Sequence, residues 1–270
     1  MKIAYMTAYL GSKFMAKYCQ GKKFALSGSF KSQGLARAMM AAGHSVTIYS
    51  PAVSTCNAII PAFTEIEDFP EGRLTIKYCN LISKRRCDPI NQVRTSRFLR
   101  QEHKREHFDV IVYYNITLGA ALLVSNIKDS IRVLEYEDNI FNKALAGDKN
   151  DFVWIKTRMY KRTISHTDGI MAVCNGLMLK ELSHRVLTPG IINEEVINNV
   201  SARPNSLTPG KPVHIILTGG IHYSKGGDLL VKAMTYIQMP CVVSVYGNCD
   251  LNDSMKDLVA QVPSRHKFEF

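Results

Sequence analysis

Short apolar runs alternate along the chain with longer segments in which apolar residues recur every three or four positions. The short runs predict buried strands, and the longer segments predict helices with one buried face. Strands are predicted at residues 3–6, 45–50, 74–78, 109–113, 131–136, 168–173, 213–217, 241–246 and 267–270, and helices at 32–42, 91–106, 118–124, 154–167, 177–183, 228–237 and 253–262. This alternation is typical of an α/β protein built on a parallel sheet.

Turn-forming residues interrupt the alternation in residues 194–212, where Asn, Ser, Pro and Gly are frequent. Such composition is typical of a linker between domains. The strand–helix pattern then starts again at Val213. We therefore predict two Rossmann-like domains, residues 1–193 and 213–270, joined by a linker at 194–212. The second segment holds three predicted strands.

The composition excludes several classes of protein. Of 270 residues, 46% are hydrophobic and 21% are charged, which is ordinary for a globular protein. The seven cysteines include no C-x-x-C pair, which argues against a disulfide framework and a zinc site. No apolar segment approaches the ~20 residues of a membrane-spanning helix. The first strand is not followed by the Gly-x-Gly-x-x-Gly of dinucleotide-dependent oxidoreductases. We expect a cytoplasmic protein with reduced thiols.

The net charge of +11 is concentrated in the first half of the chain. Residues 1–130 hold 18 Lys and Arg against 9 Asp and Glu. An anionic membrane or a phosphorylated substrate would be attracted to such a surface, and a solvated face without a partner is the alternative. Nucleic acid is not expected, because no nucleic-acid-binding signature accompanies the charge.

Aromatic residues and methionine lie among the lysines of residues 13–24. Phe14, Met15, Tyr18 and Phe24 could insert between lipid headgroups while the neighbouring lysines contact anionic lipid. This mixture indicates peripheral attachment to the inner face of the membrane. A loop packed on the domain would have the same composition.

Several stretches, taken in order, resemble the family 4 glycosyltransferases. The segment from the KIAYMT strand through Gly28 to AAGHSVT looks like the first strand, loop, helix and second strand of that family. Residues 168–177 (DGIMAVCNGL), 186–193 (VLTPGIIN) and 214–234 (HIILTGGIHYSKGGDLLVKAM) are similar to later family segments. The resemblance implies a GT-B-like fold with an N-terminal acceptor-side domain and a partial donor-binding domain.

The resemblance also implies residues that bind the diphosphate of a nucleotide sugar: Gly28, Gly219, Gly220 and Lys225. Backbone N–H groups and a cation at a helix start can stabilise the charge that develops on the leaving diphosphate. Lys225 matches a family lysine that contacts this group; an exposed loop lysine and a simple turn glycine are the alternatives. Gly220 departs from the family, which commonly has arginine there, and the family's downstream glutamate pair has no counterpart in this sequence. No metal or other cofactor is expected.

Polar residues that follow two predicted strands are candidates for acceptor binding. Tyr114 and Asn115 follow one strand, and Glu135 and Asp138 lie at the end of the next. The carboxyl ends of parallel strands present ligand-binding residues, and a carboxylate there can bind sugar hydroxyls or accept a proton. Polar capping of the strand ends is the alternative. No catalytic residue is assigned, and we expect His103, His107 and His166 at the surface.

These observations lead to two hypotheses. The first is a retaining hexosyltransferase that moves a sugar from a nucleotide sugar to a lipid-linked or saccharide acceptor in cell-surface polysaccharide synthesis. Its activity would require a separate chain that completes the donor domain. The alternative is a truncated, non-catalytic fragment or binding subunit that lacks the donor nucleoside pocket.

Overall fold

The computed structural model describes residues 1–20, 27–52, 58–82, 87–137, 153–188, 190, 210–218, 226–246 and 253–269. The chain divides into two compact units, Met1–Asn198 and Asn199–Phe270. The predicted linker lies outside the described residues except for residues 210–212.

An eight-stranded sheet forms the centre of the first unit. The strands of this unit are β1 (Lys2–Met6), β2 (Ser45–Tyr49), β3 (Ile59–Ile60), β4 (Phe63–Phe69), β5 (Gly72–Tyr78), β6 (Leu81–Ile82), β7 (Val110–Tyr114), β8 (Ile131–Tyr136), β9 (Gly169–Ala172) and β10 (His184–Leu187). The order across the sheet is β10-β9-β8-β7-β1-β2-β5-β4, and β3 pairs with β6 in a small separate sheet. Only β4 runs antiparallel within the described eight strands, against β5.

The chain reverses its direction of travel across this sheet at β1. Strands β2 and β5 lie on one side of β1, whereas β7, β8, β9 and β10 continue on the other. In open α/β sheets, ligands bind where the carboxyl ends of the strands meet such a reversal. A ligand-binding site is therefore expected at the carboxyl ends of β1 and β7.

Helices cover both faces of the sheet. They are α1 (Ser12–Tyr18), α2 (Ser27–Ala41), α3 (Asp88–Glu106), α4 (Leu118–Val124) and α5 (Val153–Ile164). Ile3 and Tyr5 of β1 belong to the core that α2 covers, whereas Ala4 and Met6 belong to the core beneath α3, α4 and α5. Alternate residues of a strand point to opposite faces, so one apolar strand supplies two cores.

The second unit repeats the strand–helix pattern on a smaller scale. Its parallel sheet has the order β11 (Val213–Thr218), β12 (Cys241–Tyr246), β13 (His266–Glu269), with helices α6 (Gly227–Tyr236) and α7 (Asp253–Ala260). Gly226 precedes α6 with a φ of 74°, a conformation that glycine adopts without steric cost. Val231 and Met234 of α6 pack on Val243 of β12 in a compact core.

Helix α1 forms in a segment where no helix was predicted, and its N-terminus is capped from a distant strand. The backbone N–H of Ser12 donates to Glu67 Oε1 at 2.8 Å, and that of Phe14 donates to Glu65 Oε2 at 3.0 Å. Both carboxylates come from β4, which the sequence analysis missed.

The predicted helix at 177–183 is wrong, since a single 3-10 turn occupies Asn175–Leu177 there.

Phe14 belongs to the core. Its side chain is fully buried, and its ring centroid lies 5.0 Å from that of Tyr78. The interpretation of Phe14 as a tip that inserts into a membrane is therefore wrong, because the ring has no lipid-facing surface. Phe24 lies outside the described residues. None of the described helices has the length and apolarity needed to span a bilayer.

His103 is buried too, so its expected surface position is wrong. Only 5% of the residue is exposed. The Phe108 N–H donates to His103 Nδ1 at 3.2 Å, which makes Nε2 the protonated nitrogen that meets Asp129 Oδ1 at 2.9 Å. His103 follows the buried Leu99 by four residues, so it continues the core-facing stripe of α3. Its contacts join the end of this helix to Phe108 and Asp129, which precede β7 and β8.

Candidate functional site

Five side chains meet at the carboxyl ends of β1, β7 and β8: Tyr5, Lys31, Tyr114, Glu135 and Glu137, here called the Lys31 cluster. Lys31 Nζ lies 2.8 Å from Glu135 Oε1 and 3.1 Å from Glu137 Oε2. Tyr5 OH donates to Glu135 Oε2, and Tyr114 OH donates to Glu137 Oε2 at 2.7 Å. One cation and two phenols therefore position two carboxylates at the switch point of the sheet.

The exposed fraction of the side chains in the cluster increases from Glu135 through Lys31 to Glu137. The side chain of Glu135 is 1% exposed, that of Lys31 is 16% exposed and that of Glu137 is 35% exposed. Glu137 uses Oε2 for its contacts with both Lys31 and Tyr114. Oε1 takes part in neither contact, so it can accept a hydrogen bond from a ligand without breaking them. Glu135 is therefore buried and supports the structure, whereas Glu137 is accessible to a ligand.

The cluster fixes the charge states of its basic and phenolic members. Burial alone would lower the pKa of Lys31, but the hydrogen bonds and charges of Glu135 and Glu137 outweigh it and raise that pKa. Burial, and then the charge of Glu135, raise the pKa of Tyr5 well above its ordinary value. Lys31 is accordingly a cation and Tyr5 a neutral donor at physiological pH.

Asn115 holds the ends of β7 and β8 together. It adopts a φ of 54°, a left-handed conformation that asparagine tolerates better than most residues. Its backbone N–H donates to the Glu135 carbonyl at 2.8 Å, and its Oδ1 accepts the Glu137 N–H at 3.0 Å. Asn115 therefore sets the backbone position of both glutamates.

The structure brings together three of the four predicted acceptor-side residues. Tyr114 and Glu135 are members of the Lys31 cluster, and Asn115 supports it through the backbone. Asp138 lies outside the described residues.

The predicted donor-side residues are only partly described. Gly28 lies in the first turn of α2 and not in the expected loop, because the helix begins at Ser27. A Cβ atom added at Gly28 would have no heavy atom within 4 Å, so the helix start faces open space one turn before Lys31. Gly219, Gly220 and Lys225 lie outside the described residues.

Sequence reasoning missed Tyr5, Lys31 and Glu137 as members of the site. Ser27, Gly28 and Ser29 are residues that favour helix starts, and they would have placed Lys31 inside the helix. Glu137 follows Glu135 by two residues, a spacing that places both side chains on the same side of an extended chain. Tyr5 in an apolar strand gave no comparable signal.

In the described part of the chain, no group of three or more His, Cys, Asp or Glu side chains could hold a metal ion. The five described cysteines, Cys19, Cys79, Cys87, Cys174 and Cys241, are free thiols.

Comparison with known proteins shows similarity of fold. No protein-family model matches the sequence, and no curated protein matches it significantly. Sucrose-phosphate synthase from Thermosynechococcus elongatus superimposes with a TM-score of 0.60 at 13% identity, over 99% of this chain and 70% of that one. The α,α-trehalose-phosphate synthase (UDP-forming) from Burkholderia xenovorans, in complex with glucose-6-phosphate, gives a TM-score of 0.50 at 10% identity, over 99% and 74%. These matches confirm the GT-B-like fold expected from the sequence, with its Rossmann-like units.

Proposed function

We propose that the chain is a glycosyltransferase that transfers a sugar from a nucleotide sugar to a hydroxyl group of a saccharide or lipid-linked acceptor. The observation that carries the proposal is the Lys31 cluster, which places an accessible carboxylate at the strand ends of a GT-B-like fold. The fold is shared with a UDP-forming synthase, which suggests a nucleoside diphosphate as the leaving group here.

Glu137 is the proposed contact for the acceptor. A carboxylate oxygen accepts hydrogen bonds from sugar hydroxyls, and the fixed position of Glu137 lowers the entropic cost of binding one. Lys31 and Tyr114 orient this carboxylate from the protein side. Tyr114, Asn115, Glu135 and Asp138 remain the proposed acceptor-side residues, with Asn115 and Glu135 acting by position.

Gly28, Gly219, Gly220 and Lys225 remain the proposed contacts of the donor diphosphate, as the resemblance to family 4 implies. Gly28 lies in the first turn of α2, and α6 begins two residues after Lys225. Helix N-termini attract phosphate groups through their N–H donors, which supports these contacts. No metal is required in this arrangement, since the lysine and the N–H groups would supply the stabilisation.

Titration calorimetry with UDP, GDP and their sugars tests the donor half of the proposal. We expect binding by the unmodified chain and at least ~10-fold weaker binding after Lys225→Ala, because a charge-assisted contact to phosphate is lost. Lys211→Ala removes an exposed lysine of the same unit and should leave affinity unchanged. The absence of binding by any of these nucleotides would favour the non-catalytic binding subunit instead.

Steady-state kinetics with the nucleotide sugar that binds tests the acceptor half. Glu137→Gln should raise the KM for the acceptor by ~10-fold or more while donor hydrolysis in the absence of acceptor is unchanged. Glu106→Gln is the matched control, since Glu106 also pairs with a partly buried lysine, at 2.8 Å from Lys77, but at the end of α3. Equal effects of both variants would contradict a role for Glu137 in acceptor binding.

Two further parts of the proposal follow from the resemblance to family 4: retention of configuration and a place in cell-surface polysaccharide synthesis. Attachment to the inner face of the membrane is proposed from the concentration of positive charge in residues 1–130.

A further inference from the structure

A groove of about 450 Å³ lies between α3 and the turn that joins β5 to β6. This volume is in the range of sites for small ligands. Arg94, Arg97 and Gln101 of α3 line one side, Asn80 lines the other, and the ring of Phe98 contributes an apolar wall. No member of the Lys31 cluster lines the groove.

The charge of the groove is uncompensated in the described part of the chain. Both arginines are exposed, no carboxylate lines the groove, and the ion pairs of the described residues include neither Arg94 nor Arg97. Residues three apart on a helix are neighbours on its surface, so the two guanidinium groups can reach one ligand. Two adjacent cations without a counter-ion favour an anion that carries about two charges.

The donors of the groove are held in place. Arg94 donates to the Asn80 carbonyl at 3.4 Å, which uses one of its five N–H groups and leaves the others for a ligand. The Asn80 side chain accepts the Ala62 N–H through Oδ1 at 2.7 Å, so its NH₂ end remains a donor. Guanidinium and amide donors arranged in this way match the oxygens of a phosphate group.

We propose that this groove binds a phosphate group, with Arg94 and Arg97 as its principal contacts and Phe98 beside the remainder of the ligand. A phosphate monoester carries ~1.5 to 2 negative charges at neutral pH, which matches the two guanidinium groups. The phosphate belongs either to a free phosphorylated compound or to the headgroup of an anionic phospholipid. The site is separate from the proposed transferase site, so each can fail without the other.

Two binding assays on the full chain distinguish these sources. Inorganic phosphate is titrated at constant ionic strength and followed by phosphorus NMR, and co-sedimentation is measured with vesicles of equal parts phosphatidic acid and phosphatidylcholine against phosphatidylcholine alone. The variant Arg94→Gln/Arg97→Gln should bind at least ~10-fold more weakly than the unmodified chain. Lys104→Gln/Arg105→Gln removes the same charge from exposed positions of the same helix and should change binding less than ~2-fold.

Each result decides the proposal. Loss of phosphate binding in the groove variant alone supports the site with a free phosphorylated ligand. Loss restricted to vesicles containing phosphatidic acid supports it with a lipid headgroup. Equal losses in both double variants would show a general effect of positive charge and overturn the proposal, as would the absence of any binding that depends on Arg94 and Arg97. Unchanged melting temperatures of both variants confirm that these exposed substitutions leave the fold intact.

Discussion

The ion pair between Lys31 and Glu135 is buried, because the Glu135 side chain is 1% exposed and the Lys31 ammonium nitrogen is shielded from solvent, although 16% of the Lys31 side chain is exposed. Removing one partner of a buried pair leaves an uncompensated charge in a medium that solvates it poorly. Lys31 therefore has two functions: it orients Glu137 toward solvent and it neutralises Glu135 in the interior.

We expect Lys31→Met to destabilise the first unit by ~3–5 kcal/mol, the cost of leaving the Glu135 carboxylate unpaired. The midpoint of urea unfolding measures this change. Arg73→Met is the control, since the Arg73–Asp68 pair is 68% and 75% exposed and should contribute less than ~1 kcal/mol. A loss for Lys31→Met as small as the control would show that Glu135 does not depend on its cation. Addition of Glu135→Gln should recover part of the loss.

Gly28 offers a way to separate binding from stability. Gly28→Ala should leave stability unchanged or raise it by up to ~1 kcal/mol, because alanine favours helices and the space around Gly28 is open. Nucleotide-sugar affinity should fall by ~10-fold or more if the phosphates approach this helix start. Calorimetry and thermal melting measure the two effects. Gly190→Ala, also in open space, is the control for affinity. Unchanged affinity of Gly28→Ala would remove Gly28 from the proposed site.

The pair Arg132–Asp168 predicts a dependence of stability on acid. The hydrogen bond from Arg132, with Nε 2.9 Å from Asp168 Oδ2, lowers the pKa of Asp168. A lowered folded-state pKa gives stability that is present above the ordinary value of ~3.9 and is lost as the pH falls through the folded value. The side chain of Asp168 is 41% exposed, so we expect no more than ~1 kcal/mol. Asp168→Asn should reduce the loss of stability between pH 5 and lower pH, as measured by urea unfolding. The same loss in Asp168→Asn as in the unmodified chain would show that protonation of Asp168 does not contribute to it.

At the scale of elements, α1 depends on β4 for its N-terminal acceptors. A Cβ atom at Gly11 would lie 1.2 Å from Glu65 Oε1, a carboxylate oxygen of a residue that is 1% exposed. Gly11→Ala should therefore displace Glu65, remove its bond to the Phe14 N–H, and destabilise the unit by ~1–3 kcal/mol. Hydrogen exchange should show the loss first at α1. Protection of α1 equal to that of the unmodified chain would show that Glu65 is not needed there.

The parallel strands and long helices could be predicted because their sequences contain enough local information. Runs such as VIVYY at β7 have no other stable environment than a buried strand. The positions of Tyr114, Asn115 and Glu135 could be predicted for the same reason, because locating a strand also locates the residues at its end.

Elements that depend on distant partners could not be predicted. The seven residues of α1 include no side-chain cap, and the acceptors come from Glu65 and Glu67, more than fifty positions along the chain. Strand β4 contains three acidic residues, a composition that is typical of a solvated loop. Their role follows only from the contacts that Glu65 and Glu67 make with α1. Lys31 and Tyr5 were missed because their contacts with Glu135 join segments far apart in sequence.

At the scale of the whole molecule, the two units differ in the size of their cores. The first unit buries apolar residues on both faces of an eight-stranded sheet, whereas the buried core of the second unit, within its described residues, consists of six side chains: Val231, Met234, Cys241, Val243, Val245 and Met255. Local stability follows the amount of buried apolar surface.

We therefore expect backbone amides of β11, β12 and β13 to exchange faster than those of β1, β7 and β8. Hydrogen-exchange mass spectrometry of the full chain measures this difference. The comparison is internal, since both sets of amides are in the same sample and at the same pH. Equal protection in the two units would contradict the expected order of stability.

The bond from Tyr5 to Glu135 joins residues 130 positions apart. We expect it to form late in folding, because β7 and β8 must first be placed beside β1. Interactions that are absent from the folding transition state act on the rate of unfolding and leave the rate of refolding nearly unchanged. We therefore expect the cluster that shapes the proposed acceptor site to lengthen the lifetime of the folded first unit as well.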